Sequence, residues 1–170
     1  MTVSSVRRNI MAQGFCDVDE GTCARINYAL RLSPAICMVW AAIGTLRQSP
    51  LVLGALVPFA VLGAILPGHP FDVLYNHGLR HLTGGPALPR YGARRHFACG
   101  LAAAMLTAAA WAFATGMATL GATLGWLLVG AAFVNVSTGF CIPSFLVRLV
   151  VGEVPCDETR TVPRTPRAAI

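Results

Sequence analysis

Imidazoles and thiols are the side chains of this sequence that could do chemistry. His77 and His81 stand four apart in the stretch His69-Pro70-Phe71-Asp72-Val73-Leu74-Tyr75-Asn76-His77-Gly78-Leu79-Arg80-His81. On a helix that spacing puts both rings on one face, where they could share a metal ion. Asp72, five residues ahead of His77, could support a ring nitrogen. Gly78 weakens the helix between the two histidines, however, and two ligands do not make a site. His96 is the other nearby ligand candidate weighed. The stretch reads better as an amphipathic helix lying in a membrane interface. Phe71, Leu74, Tyr75, Leu79 and Leu82 would then meet the headgroup boundary, while Asn76, Arg80 and His81 face water.

Six cysteines are present: Cys16, Cys23, Cys37, Cys99, Cys141 and Cys156. In a short secreted chain that number would suggest a disulfide framework. Residues 1–23, however, begin polar, carry two arginines and run into Asp17, Asp19 and Glu20 without the apolar stretch of a secretory signal. Cys37 and Cys99 fall inside apolar runs, where a buried thiol acts as a small hydrophobe. Cys16 and Cys141 lie at the edges of such runs. Cys141 follows Asn135, Ser137, Thr138 and the flexible Gly139. Thiols at a helix break near arginines are candidates for redox chemistry, although neither of these two has an evident base beside it.

The elements that must hold these groups follow from composition. Of 170 residues, 55% are hydrophobic and 12% charged, and the mean hydropathy is +0.63. An average soluble domain is about 25% charged. Too little polar surface remains to cover a water-soluble globule, and disorder is excluded by the same wealth of apolar residues. The composition predicts an all-α membrane protein.

A spanning helix needs about 20 apolar residues, and four candidates appear: residues 24–46, 51–66 with Pro58 as a kink, 97–115, and one starting near 120. The last runs to 151, too long for one crossing. The break at Gly139-Phe140-Cys141-Ile142-Pro143 is expected to end that span and begin a short interfacial helix. Short turns near 47–50 and 116–121 make two helical hairpins. A cytoplasmic segment at 67–96 joins them within a membrane domain of 24–151. Residues 1–23 are read as a cytoplasmic N-terminal segment and 152–170 as a Pro- and Arg-rich cytoplasmic tail. The first hairpin, with its shorter apolar parts, could instead be a re-entrant pair. Asp17 or Asp19 is placed to N-cap the first helix, with Glu20 in its first turn.

All thirteen basic residues are arginine, and seven acids leave a net charge of +6. A basic excess can point to nucleic acid or to a membrane surface. These arginines sit between apolar runs, so the expected partner is the lipid bilayer and no nucleic acid. All but Arg47 fall on one side of a four-span arrangement. By the positive-inside rule both termini are then cytoplasmic, in a bacterial inner membrane. Arg31, Arg95 and Arg148 are expected to anchor helix ends at the interface. Small residues line the second hairpin: Ala104 and Ala108, and Gly121 with Gly125 at GxxxG spacing. In lipid, close packing replaces the hydrophobic drive. They are read as packing within one bundle, with a homodimer seam as the alternative.

Several stretches together resemble a known family: Phe15-Cys16-Asp17-Val18-Asp19, Ala24-Arg25-Ile26-Asn27, Arg95-His96-Phe97-Ala98 and Gly139-Phe140-Cys141. They are similar to small bacterial integral-membrane proteins grouped as domain of unknown function 4395, over roughly residues 14–151. The resemblance implies a compact membrane domain without an assigned activity, sometimes associated with sulfurtransferase and thioredoxin-like proteins. It also implies a second cysteine three residues after Cys141, where this chain has Ser144. A Cys-x-x-Cys dithiol could cycle within itself, whereas a single thiol needs a partner such as Cys16.

The function expected from all this is a non-enzymatic accessory or structural subunit of a larger membrane assembly, with no cofactor assigned. The alternative is a membrane thiol protein in redox or sulfur handling that uses Cys16 and Cys141. A small transporter comes third, because the spans offer little ionisable chemistry at membrane depth beyond Asn135, several threonines and Arg31.

Overall fold

The computed structural model describes residues 20–85, 87, 88 and 92–151; the side chains of 20–25, Thr83, Arg148, Val150 and Val151 fall outside that description. Cys16, the capping aspartates, the Arg148 side chain and the 152–170 tail therefore lie outside the described residues.

Everything regular among the described residues is helical. Helix α1 spans Glu20–Leu46 and contains Pro34. Its end is closed by two bonds, Gln48 N–H to Thr45 O at 3.1 Å and Ser49 N–H to Gly44 O at 3.0 Å. This is the Schellman pattern, with Gln48 left-handed at φ 48° in the place usually taken by glycine. Helix α2, Pro50–Ile65, starts at once: Ser49 caps the Val52 N–H, and Pro50 occupies the first turn, where no N–H is needed. A short turn therefore folds α1 and α2 back on each other.

Past α2 the chain makes α3 (Pro70–Leu74), a π-helical turn (Tyr75–Leu79) and α4 (Arg80–Thr83). Helix α5 covers Ala93–Ala114 and α6 covers Ala118–Thr138. Gly116, at φ 79°, makes the sharp turn between them. Helix α7 is Ile142–Val151, beyond a break at the expected place.

Three helices are long and apolar enough to cross a membrane: Ile26–Leu46 within α1, Ala93–Ala114 and Ala118–Thr138. The expected second span differs. Pro50–Ile65 reaches spanning length only together with Pro70–Leu82, from which it is bent by 79°. His69-Pro70 causes the bend, since the residue before a proline is pushed out of the helical region and His69 is extended.

Helices α1, α2, α5 and α6 form a ring in which α2 packs on α5, α5 on α6, α6 on α1 and α1 on α2, while α7 lies mainly against α5. Sequence periodicity does not set the buried faces, because these helices are apolar all round. Shape does. Leu53, Leu56 and Ala60 of α2 meet Ala103, Leu106 and Ala109 of α5 and Ala41 of α1. A Cβ built on Gly121 would come within 2.8 Å of the Phe113 ring, and one on Gly125 would overlap Thr45 Oγ1. The GxxxG pair thus seats α6 on α5 and on α1. Ala104 and Ala108 point out of the ring.

Candidate thiol site at the linker end of the bundle

The described residues of the linker 66–92 lie with α7 at one end of the ring, where three helices meet proline or their own termini. Pro34 lacks an N–H, so the Leu30 carbonyl one turn earlier loses its helical donor. The Arg95 guanidinium supplies one, with Nη2 3.0 Å from Leu30 O. Arg95 is 6% exposed as a result. The last turn of α6 presents orphan carbonyls at the negative end of its dipole. Arg31 Nη1 donates to two of them, Val136 O at 2.8 Å and Ser137 O at 3.1 Å. Both arginines are expected as interface anchors; here each guanidinium is held by backbone carbonyls of a neighbouring helix, Arg95 buried and Arg31 half-buried. Gly139, left-handed at φ 73°, ends α6 where an added Cβ would come within 3.0 Å of Arg31 Nη2.

His69 precedes Pro70 and caps α3: its Nδ1 accepts from the Phe71 N–H at 3.4 Å, and its carbonyl accepts from Asp72 N–H at 2.8 Å. With Nδ1 accepting, the neutral ring carries its proton on Nε2, which faces Cys37 Sγ at 3.9 Å. A row of rings (Trp40, Phe59, Phe71) ends on His69, with Phe59 and Phe71 stacked at 5.2 Å and Phe71 5.1 Å from His69. Gly63 has no side chain because His69 and Cys99 occupy the space; a Cβ there would lie 2.6 Å from His69 Cδ2 and 3.2 Å from Cys99 Sγ. Burial holds the His69 imidazole below the usual histidine range, with Asp72 opposing and Arg95 reinforcing the effect.

Cys37, His69, Arg95 and Cys99 line a cavity of about 380 Å³ between α1, α2, α5, α6 and α7. Most of its wall is apolar, including Met38, Met105, Leu106 and Leu128, and its polar part comprises Ser33, Cys37, His69, Arg95, Cys99, Asn135, Cys141 and Ser144. Cys37 comes from α1, Cys99 from α5 and Cys141 from the break before α7. Cys37 Sγ and Cys99 Sγ both stand beside the His69 ring. Ser144 is 3% exposed and its hydroxyl has no hydrogen-bond partner.

Asp72 and the two histidines weighed above as weak metal-ligand candidates do not converge. Asp72 is buried, accepts from the Ser33 hydroxyl through Oδ1, and leaves Oδ2 without a partner. His77 and His81 are exposed, and the His77 ring bonds back to Val73 O at 3.0 Å. The π-turn between them alters the four-residue helical register. No group of three His, Cys, Asp or Glu side chains suited to a metal ion occurs among the described residues.

A family model described as a domain of unknown function, DUF4395, matches residues 27–151. The chain belongs to the DUF4395 family. The DUF4395 segment contains every residue of the cavity wall and the three cysteines that face it, while Cys16, Cys23 and Cys156 fall outside it. Comparisons with curated proteins and with solved structures give no match.

Reading the sequence picks out Cys141 but treats Cys37 and Cys99 as packing, and passes over His69. Apolar runs do not reveal which thiols share a space. The His-Pro step, an extended residue at a helix start, is the one local signal for His69.

Proposed function

We propose that this chain is a membrane-embedded thiol protein whose working sulfurs are Cys37, Cys99 and Cys141, at the cytoplasmic end of its bundle. One observation carries the reading: three cysteines from three separate elements face one cavity beside a buried histidine with its Nε2 toward a sulfur. Packing alone needs no such convergence. The pair Cys16 and Cys141 gives way to this trio, because Cys141 has companions inside the bundle. A deletion strain should show an oxidant- or sulfur-linked growth defect, rescued by the wild-type chain and by Cys16→Ser. Cys99→Ser and Cys141→Ser should fail to rescue at equal abundance. Full rescue by both would overturn the proposal.

The accessory-subunit reading has its own support. Ala104, Thr107, Ala108 and Trp111 form an exposed strip on α5, the small-residue surface on which another membrane helix or a second copy packs closely. Gentle detergent extraction and native sizing test it. Migration within a larger particle favours a subunit role, and a lone monomer removes it.

A further inference from the structure

We propose that the cavity binds a membrane quinone, which takes two electrons from Cys99 and Cys141. This rests on the thiol reading above and names its electron acceptor.

The cavity is apolar over most of its wall, and its size lies in the ~300–1,000 Å³ range of small-molecule sites. Leu127 and Leu146 line it and are 59% and 47% exposed. The space therefore reaches the outside of the ring between α6 and α7, the surface that meets lipid when the helices span a bilayer. A lipid-soluble molecule enters from there without crossing water. A partner protein does not reach Cys99 by this route, because that sulfur is set inside the ring against Gly63 and His69.

The polar part of the wall selects the head of the molecule. Ser144 holds an unpaired hydroxyl in a buried position, which costs free energy unless a ligand accepts its proton. A quinone carbonyl is such an acceptor. Arg95 places positive charge in the same wall, and reduction builds negative charge on the quinone oxygens. Cys141 stands on the short non-helical break after Gly139 and next to α7, which packs on the helix bearing Cys99. Cys141 therefore has the freer backbone, whereas Cys37 and Cys99 are both fixed within helices. In the reaction both S–H bonds break and an S–S bond joins Cys99 to Cys141. The two protons and two electrons pass to the quinone oxygens, leaving the quinol.

The test uses the full chain in detergent micelles, reduced, freed of reductant and mixed with decylubiquinone. Loss of the quinone absorbance should yield one quinol per chain, and peptide mass spectrometry should find the Cys99–Cys141 disulfide. Cys99→Ser and Cys141→Ser should each abolish quinol formation, and Cys156→Ser should not change it. Ser144→Ala should raise the half-saturating quinone concentration about tenfold, the size of one lost hydrogen bond, at an unchanged limiting rate. If diamide forms the disulfide but decylubiquinone yields no quinol, the quinone assignment is wrong and the thiol reading stands. If neither oxidant links the pair, both fall. A disulfide between a different pair also overturns the assignment.

Discussion

Pro34, Leu30 and Arg95 form one unit although they are far apart in the chain. The proline removes a donor, the carbonyl is left over, and the arginine fills the gap. Arg95→Ala should therefore cost about 1–3 kcal/mol, the penalty of a buried acceptor left unpaired. Restoring the N–H with Pro34→Ala should make that loss much smaller, which a double-mutant cycle of detergent melts would measure. Equal losses with and without the proline would show that Arg95 acts otherwise. His69 supplies a pH dependence. Its folded value lies below the unfolded one of 6.5, so the neutral ring is the form that the fold prefers. The stability it contributes is complete above the unfolded value and is lost as pH falls through the folded one. The wild-type melting temperature should drop between pH 7.5 and pH 5 by more than that of His69→Asn, which keeps a capping oxygen and cannot titrate. Neither residue stands out in the sequence. Arginine and histidine near an apolar run look like interface residues until the carbonyl or sulfur that each one meets is known.

At the scale of the helix, the legible features are those with a local cause. Gly139 and Pro143 mark the break before α7, and Gly116 marks the turn before α6. The bend at His69-Pro70 is less legible, because sixteen apolar residues in α2 pass for a span by composition. Which residues face the core is not legible at all in helices apolar on every side. There the deciding quantity is side-chain volume, seen where Gly121 meets Phe113 and Gly125 meets Thr45. Gly121→Leu and Gly125→Leu should each cause misassembly, read as loss of monodisperse protein on sizing. Ala104→Leu and Ala108→Leu point outward and should leave the purified chain monodisperse. If all four behaved alike, the assignment of inner and outer faces would be wrong.

For the whole molecule, the all-helical class and the long apolar helices were readable because composition and run length carry them, whereas the second of the four expected spans is a bent pair; the family resemblance over most of the chain is shown by its match to DUF4395. The cavity was not readable, because its wall is assembled from five helices and two connecting residues, His69 and Cys141, that only the packed ring brings together. Partnering is the matching prediction at this scale. If the strip on α5 holds a neighbour in native membranes, the Ala104→Leu and Ala108→Leu chains should migrate as smaller particles than the wild type; unchanged migration would mean the strip faces lipid. The Arg95–Leu30 bond also has a consequence for biosynthesis. When the first hairpin leaves the ribosome, the carbonyl at Leu30 has no donor, and the arginine that will serve it is still untranslated. The early half is therefore one backbone hydrogen bond short until the later half is made. A chain truncated before Arg95 should be cleared faster than the full chain, which a pulse-chase of the two would measure.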